Sequence, residues 1–213
     1  MEFSREMLEL YAVTDRRWLR GKSLGSQVRQ ALSGGVTMVQ LREKEQHGDG
    51  LIEEAREIRE ICHSFGVPFL IDDDVELARK VDADGVHVGQ EDMEAARARS
   101  ILGPGKILGV SARTLEQARA AEAAGADYLG VGAVFPTGTK GDAKLVSLEL
   151  LREICDSVKI PVVAIGGIGR ENLLQLSGSG IAGVAVVSAI FAQEDIEGAA
   201  RNLKELVGKE IFR

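Results

Sequence analysis

The sequence predicts a single (β/α)8 TIM barrel over residues 1–213, on the strength of three observations. Eight short apolar runs alternate with segments of helical period, which is typical of a parallel sheet. The runs are apolar on both faces, as expected of strands buried between a core and a helix layer. Polar side chains collect where the runs end, which is the polarity of this barrel. A doubly wound open sheet is the structural alternative, but it usually has fewer strands, and no GxGxxG follows the first run.

The apolar runs predict the strands in order. They are LELYAVTD (8–15), VTMVQLRE (36–43), PFLIDD (68–73), GVHVGQ (85–90), KILGVSA (106–112), YLGVGAVF (128–135), PVVAIGGI (161–168) and GVAVVSAI (183–190). Intervening segments such as LIEEAREIREICHSFG place apolar residues at i, i+3 and i+4, which indicates amphipathic helices. Several helical segments end in glycine before the next run, as helix C-termini often do, namely at Gly34, Gly35, Gly66, Gly125 and Gly180.

Composition restricts the class of protein. The 213 residues are 45% hydrophobic, which is enough for one sizeable core. The net charge of −7 argues against nucleic acid or an anionic membrane as partner, because phosphate backbones need a basic field. The first residues carry acids and no apolar stretch, and no apolar run approaches about 18 residues, so we expect neither a secretory signal nor a membrane span. Cys62 and Cys155 stand in no CxxC spacing. We therefore expect a soluble, cytoplasmic protein, and the sequence leaves its oligomeric state open, a homo-oligomer included.

The stretch QLREK places charge at the end of the second run. Because side chains alternate along a strand, Gln40, Arg42 and Lys44 share one face, whereas Leu41 faces the helix layer. Arginine can grip phosphate bidentately and lysine adds a point charge, so this face suits a polyanionic ligand. The alternative is a solvated strand end paired with neighbouring glutamates such as Glu43.

Two aspartates end neighbouring strands of the predicted barrel. Asp73 ends the third run and Asp92 follows the fourth, and adjacent strands lie about 4.8 Å apart, so the two carboxylates can meet on one hard cation. Mg²⁺ favours one or two carboxylates together with substrate phosphates and water. The alternative use of such residues is helix capping, which is the role that we predict for Asp74.

Three loops carry the residue types that bind phosphate. VFPTGTKGDAK (134–144) combines Thr, Gly and Lys after the sixth run, as expected of a grip on an anion. Barrels often bind a phosphate with the loops after strands seven and eight, where free N–H groups at Gly167 and around Ser188 could cradle it. A turn that simply needs glycine is the alternative for Gly167.

The sequence offers no protein nucleophile. It contains no Ser/His/Asp set, reactive Cys or HExxH motif, and His87 has the apolar neighbours of a satisfied core residue. The site is therefore expected to hold phosphates and a metal ion without forming a covalent intermediate.

Seven motifs together resemble those of the thiamine phosphate synthase family. They are QLREK, IDDD followed by VELA, ADGVHVGQED, LGVSA, DYLGVGAVFPTGTK, VVAIGGI and GVAVVSAI, in the family's order over residues 11–190. The resemblance implies a (β/α)8 barrel that joins two small-molecule substrates, hydroxymethylpyrimidine diphosphate and thiazole phosphate, and releases pyrophosphate with Mg²⁺ as cofactor.

The resemblance also implies a role for each site residue. The pyrimidine diphosphate would be held by Gln40, Leu41, Arg42, Glu43, Lys44 and Asp72, the Mg²⁺ by Asp73 and Asp92, the pyrophosphate by Ser111 and Lys140, and the thiazole phosphate by Thr137, Gly138, Thr139, Gly167, Val187 and Ser188. Arg42, Lys44 and Lys140 would be the catalytic cations that stabilise the departing anion.

The chain departs from the family pattern at two positions. Asp72 stands where the family usually has Asn, and a carboxylate can only accept hydrogen bonds unless it is protonated. We expect Asp72 either to favour a protonated pyrimidine or to carry a proton itself. Gly138 stands where Pro is common, and it should loosen the loop with little effect on the chemistry.

Two other functions fit the same fold. A thiazole tautomerase would only isomerise thiazole phosphate and tends to lack the diphosphate and metal residues, and a non-catalytic binder would only hold a phosphate ligand. The synthase is favoured because the chain keeps Arg42, Lys44, Asp73, Asp92 and Lys140.

Overall fold

Eight parallel strands close into a barrel. In the computed structural model, which describes residues 2–138 and 144–211, the strands pair in sequence order, and the eighth pairs with the first. They are β1 Leu10–Val13, β2 Met38–Leu41, β3 Phe69–Asp72, β4 Gly85–Val88, β5 Ile107–Ala112, β6 Tyr128–Gly132, β7 Val162–Ile165 and β8 Gly183–Val186. The predicted (β/α)8 barrel is confirmed, and every strand lies within one of the eight apolar runs.

The helix layer is less regular than the barrel. Its α-helices are α1 Leu24–Ser33, α2 Asp49–Ser64, α3 Val75–Lys80, α4 Ala95–Leu102, α5 Leu115–Ala123, α6 Leu148–Ser157, α7 Ser188–Phe191 and α8 Ile196–Glu210. Between β7 and β8 stands one turn of 3₁₀-helix, Leu173–Leu176, since the Ser- and Gly-rich segment that follows it has low helix propensity. The last residues of the eighth apolar run form part of α7 and not of a strand.

Side-chain alternation divides the core into two clusters. One face of each strand packs against the helices, and the other face fills the barrel. In α2, for example, the buried residues recur at helical spacing and contact the outer faces of the strands. The inner cluster consists of Leu8, Tyr11, Val13, Met38, Leu70, Ile107, Tyr128, Val163, Ala182 and Ala185. Gln40 lies on the same strand face as Met38, so the inner face becomes polar toward the carboxyl end of β2.

Local signals fix the helix ends. A side-chain oxygen accepts a hydrogen bond from a first-turn N–H in five α-helices, with Ser23, Asp74, Thr114, Ser147 and Asp195 as the capping residues. The predicted capping role of Asp74 is thereby confirmed. Gly66 and Gly125 take φ of 69° and 86° just past α2 and α5, where the chain turns toward the next strand.

Neither cysteine has the environment of a reactive thiol. Cys62 is fully buried in α2, Cys155 is half-buried in α6, and both are free. Burial raises the pKa of both thiols, that of Cys155 to about 11, so they stay protonated at neutral pH. In residues 2–138 and 144–211, no helix has the length and apolar character to cross a membrane.

Candidate active site

The end of β2 turns successive side chains to opposite sides. Gln40 is 5% exposed inside the barrel, and Arg42 follows it on the same face. The backbone N–H of Arg42 donates to Oγ1 of the buried Thr14 over 3.0 Å, which ties β2 to the end of β1. Leu41 is 1% exposed and packs in the outer cluster, so its side chain does not face the barrel mouth.

The side chain of Glu43 also turns away from the mouth. Its carboxylate pairs with Arg16 over 2.6 Å and accepts the backbone N–H groups of Glu45 and Gln46 over 2.7 and 3.1 Å. Although desolvation raises the pKa of Glu43, these hydrogen bonds outweigh it and hold the pKa below its ordinary value. Of the predicted diphosphate residues, Leu41 and Glu43 therefore contribute structure through their side chains, and Glu43 shapes the loop that carries Lys44.

Two cations meet the carboxylate of Asp72 at the end of β3. The ammonium of Lys44 lies 3.2 Å from Oδ2 of Asp72, and Nε of Arg42 lies 3.9 Å from the same oxygen. The Asp72 side chain is 9% exposed, and neither its Oδ2 nor Nε of Arg42 has a hydrogen-bond partner among the described residues. Buried polar atoms of this kind are normally hydrogen-bonded, so the pair marks a place that a polar ligand would complete.

Asp73 and Asp92 come together as the sequence predicts. Asp73 takes a left-handed φ of 62°, and its N–H donates to the carbonyl of His87 over 2.8 Å, which ties the end of β3 to β4. Oδ2 of Asp92 accepts the N–H of Gly89 over 2.7 Å. Partial desolvation and the adjacent Asp73 carboxylate raise the pKa of Asp92, as expected when two like charges share a site. Lys44 contacts Asp73 and offsets part of this repulsion.

This carboxylate pair suits a magnesium ion. The described residues contain no group of three or more His, Cys, Asp or Glu side chains that could hold a metal by themselves. Mg²⁺ does not need such a group, because it is commonly held by one or two carboxylates while substrate phosphates and water complete its octahedron. The donor set formed by Asp73 and Asp92 therefore fits the ion.

The loops after β6 and β7 lie on one another. The N–H of Phe135 donates to the carbonyl of Gly166 over 3.1 Å, which extends the pairing beyond the strands. Gly167 has φ of 65°, and a Cβ there would lie 2.3 Å from the carbonyl oxygen of Pro136, so only glycine fits. Gly167 thus packs beside the residues that lead into Thr137, as expected of loops that share a ligand.

Gly138, Val187 and Ser188 lie at the same end of the barrel. The carbonyl of Gly138 accepts a 3.4 Å hydrogen bond from Arg17, which reaches over from the loop after β1. Val187 and Ser188 directly follow β8, and Ser188 begins α7. Thr139 and Lys140 lie outside the described residues.

A buried hydrogen-bonded chain connects two of the predicted site residues. Nε2 of Gln40 donates to the hydroxyl of Tyr11 over 2.6 Å, and this hydroxyl lies 2.9 Å from that of Tyr128. The Tyr128 hydroxyl lies 2.9 Å from Nδ1 of His87, and Nε2 of His87 lies 2.9 Å from Oγ of Ser111. His87 is the satisfied core residue that the sequence predicts, but one of its partners is a candidate binding residue.

Sequence reasoning missed the two tyrosines, because aromatic residues in apolar strands ordinarily indicate core packing. One signal could have identified them. Gly109 and Gly130 occupy inner positions of β5 and β6, and a Cβ at Gly109 would lie 2.3 Å from the Tyr128 hydroxyl and 2.5 Å from Nδ1 of His87. Glycines at alternating inner positions leave room for large rings from neighbouring strands.

Cations, carboxylates and hydroxyl groups thus meet at one rim of the barrel, at the carboxyl ends of the strands. This position is where (β/α)8 barrels carry their chemistry. The fold and the rim together define a barrel enzyme that handles phosphate groups.

The comparisons with known proteins identify the family. A family model described as thiamine monophosphate synthase matches residues 10–190. A thiamine-phosphate synthase of Ruminiclostridium cellulolyticum is 50% identical over 197 residues, which cover 92% of this chain and 94% of the relative. The chain belongs to the thiamine monophosphate synthase family, and it is a transferase with thiamine-phosphate synthase activity.

Other relatives agree with this result. A thiamine-phosphate synthase of Desulfitobacterium hafniense is 50% identical over 198 residues, covering 92% of this chain and 96% of the relative. Among solved structures, a thiamine phosphate pyrophosphorylase from Pyrococcus furiosus superposes with a TM-score of 0.90 at 42% identity, covering 97% of this chain and 98% of that one. The agreement extends over almost the whole chain.

Proposed function

We propose that this enzyme joins hydroxymethylpyrimidine diphosphate to thiazole phosphate, forming thiamine phosphate and pyrophosphate. The observation that carries the proposal is the meeting of cations and carboxylates at one rim, where Arg42 and Lys44 both lie within 4 Å of Asp72 and Lys44 also contacts Asp73. A plain phosphate binder needs cations alone, whereas a diphosphate that must leave with a metal ion needs cations and carboxylates side by side.

The chain's own cations would hold the diphosphate. Nε of Arg42 is buried, makes no hydrogen bond among the described residues and lies 3.9 Å from Asp72, so the guanidinium can turn to a phosphate oxygen without losing a hydrogen bond there. Lys44 has three N–H donors, so it can donate to a phosphate oxygen and still contact one of its two carboxylates. Ser111 would add a neutral hydroxyl donor, and Lys140, from its motif, a further cation.

Asp73 and Asp92 would hold the Mg²⁺. When bound, the ion would supply positive charge that stabilises the departing pyrophosphate. Lys44 supports both aspartates, because its ammonium lowers the repulsion between them.

The reaction needs no protein nucleophile. The bond between the pyrimidine methyl carbon and the diphosphate oxygen breaks, and its electron pair leaves with the pyrophosphate. The electron-rich aminopyrimidine spreads the resulting positive charge. The lone pair of the thiazole nitrogen then forms the new carbon–nitrogen bond. The residues would align the two rings and stabilise the leaving anion, which are the contributions that preorganised charge makes.

The thiazole phosphate would lie under the loops after β6, β7 and β8. Gly167, Val187 and Ser188 would offer backbone N–H groups, and Thr137 and Thr139 would offer hydroxyls. The close packing of Gly167 against Pro136 supports a shared site for these loops.

One experiment separates this function from its two alternatives. Purified protein is mixed with both substrates and Mg²⁺, and pyrophosphate and thiamine phosphate are measured. We expect equal amounts of both products. Conversion of thiazole phosphate alone, with no pyrophosphate, would indicate a tautomerase, and heat of binding without any product would indicate a binder.

A further inference from the structure

The hydrogen-bonded chain inside the barrel connects two groups that would contact the same substrate. Gln40 lies at one end, where the pyrimidine would bind, and Ser111 lies at the other, where the diphosphate would bind. Between them stand Tyr11, Tyr128 and His87, with every link between 2.6 and 2.9 Å. Tyr11 and Tyr128 are at most 1% exposed and His87 is 9% exposed, so the links from Gln40 to Nδ1 of His87 are buried, whereas the link from His87 to Ser111 is partly buried.

The barrel is built to hold this chain in place. Neighbouring strands leave space for its rings at Gly109 and Gly130, where a Cβ would lie within 3 Å of His87. The Tyr11 and Tyr128 rings pack edge to face with centroids 5.9 Å apart. Burial raises the pKa of both tyrosines, so both hydroxyls keep their protons.

Two proton arrangements are consistent with a neutral imidazole when each tyrosine hydroxyl donates within the chain. In the first, Gln40 donates to Tyr11, Tyr11 to Tyr128, and Tyr128 to Nδ1 of His87. The Nε2–H of His87 then donates to Ser111, whose own proton is left for a ligand. In the second arrangement, Ser111 donates to Nε2 of His87, Nδ1–H of His87 donates to Tyr128, and Tyr128 donates to Tyr11. Tyr11 then donates to Gln40, which must present its amide oxygen, and the Ser111 proton is not available to a ligand.

A diphosphate distinguishes the two arrangements. Its oxygens are acceptors, so it needs the proton of Ser111 and is repelled by lone pairs. The amide orientation of Gln40, with its nitrogen on Tyr11, belongs to the first arrangement. We propose that His87 is a positioning residue that orients the Ser111 hydroxyl toward the leaving diphosphate, and that Tyr128 fixes the required tautomer of His87. This inference rests on the proposed role of Ser111 in the synthase reaction.

The first test observes the tautomer directly and needs no variant. The protein is labelled with ¹⁵N-histidine, and the imidazole nitrogens are measured by NMR in the presence of Mg²⁺ and inorganic pyrophosphate. The chain has three histidines, and the His87 signals are the set missing from H87Q. We expect a proton on Nε2 and none on Nδ1. A proton on Nδ1 with Nε2 bare would overturn the proposal.

The second test is a double-mutant cycle. We expect Tyr128→Phe to lower kcat about 10- to 100-fold, because it removes the hydrogen bond to His87 that helps to align Ser111 with the charged diphosphate. The KM for thiazole phosphate should change little. In a Ser111→Ala background the same substitution should lower kcat less than about threefold, because Tyr128 acts through Ser111. If Tyr128→Phe lowers kcat by the same factor in the wild type and in the Ser111→Ala background, Tyr128 acts independently of Ser111. That result would overturn the proposal.

Tyr11→Phe is the matched control. It removes the same hydroxyl from the same buried chain, one link further from His87, and leaves Tyr128 able to donate to Nδ1. We expect a smaller loss of kcat and a higher KM for the pyrimidine diphosphate, because Gln40 loses its partner. Equal losses of kcat in the two tyrosine variants would contradict the proposal.

The outcomes also separate this inference from the proposed function. A wild-type protein that makes no thiamine phosphate would refute the function itself. An active wild type whose kcat survives Ser111→Ala would leave the function intact and refute the role of Ser111, and the positioning role of His87 with it.

Discussion

Replacing Gly109 with alanine places a methyl group where two rings already lie. An added Cβ would stand 2.2 Å from Cζ of Tyr128, 2.3 Å from its hydroxyl and 2.5 Å from Nδ1 of His87. All three atoms belong to buried side chains inside a closed barrel, so neither ring has free space to enter. The substitution must therefore move the rings or the strand.

The expected cost has two parts. Overpacking a well-filled core costs about 1–3 kcal/mol. Separating Tyr128 from His87 leaves buried hydrogen-bonding groups unpaired, which costs about 1–3 kcal/mol more. The free energy of unfolding should fall by roughly 2–6 kcal/mol, and the Tm by roughly 5–20 °C for a protein of this size.

Calorimetry and steady-state kinetics measure the two consequences. The matched control is Gly105→Ala, because that glycine has nothing within 4 Å of an added Cβ and no left-handed φ. The control should stay within about 0.5 kcal/mol of the wild type. At a temperature where Gly109→Ala is fully folded, kcat should also be lower, because Ser111 loses the alignment of His87. If Gly109→Ala has the same Tm as Gly105→Ala and the kcat of the wild type, the rings of Tyr128 and His87 do not fill the barrel as described.

Four further predictions concern the candidate active site. Asp73→Asn should raise the Mg²⁺ concentration for half-maximal activity about tenfold or more. The control Asp74→Asn should leave that concentration unchanged, because asparagine caps a helix as well as aspartate does. Equal shifts in the two variants would exclude a metal site at Asp73. Because desolvation and the adjacent Asp73 raise the pKa of Asp92, its carboxylate gains a proton more readily than an ordinary aspartate as pH falls, and the Mg²⁺ requirement should rise toward acidic pH. A requirement independent of pH would contradict this. Asp72→Asn should change the pH profile of activity, since a carboxylate and an amide offer different hydrogen bonds to a pyrimidine, and an unchanged profile would refute that role. Lys140→Ala should lower kcat far more than the affinity for thiazole phosphate, and equal losses in both would place Lys140 in another role.

Much of the fold could be predicted because its signals are local. A strand that is apolar on both faces and a helix that is apolar on one differ in their period over a few residues, so all eight strands fall inside predicted runs. The cap at Asp74 and the turn at Gly66 depend on one or two residues each. The eighth run shows the limit of this reasoning, since its last residues are as apolar as a strand yet begin α7.

The sequence predicts which residues of the site gather at one rim, but not which partners their side chains contact. The convergence of Asp73 with Asp92 follows from strand order, because adjacent parallel strands end at the same rim. The pairing of Glu43 with Arg16 does not follow from it, since the partners are 27 positions apart and meet only after β1 and β2 have paired. Without that pairing, the alternation of QLREK cannot show whether Glu43 faces a ligand or another residue.

The sequence by itself thus determined the number of strands, the face that each residue takes, and the end of the barrel where polar groups collect. Only the tertiary structure decided which inner-facing residues touch. Tyr11, His87 and Tyr128 stand on β1, β4 and β6, which are not neighbours in the sheet, and their rings meet because closure brings distant strands face to face across the interior. The alternation of side chains along a strand determines whether a given side chain points inward. Which other side chain it contacts depends on the register and curvature of the whole barrel.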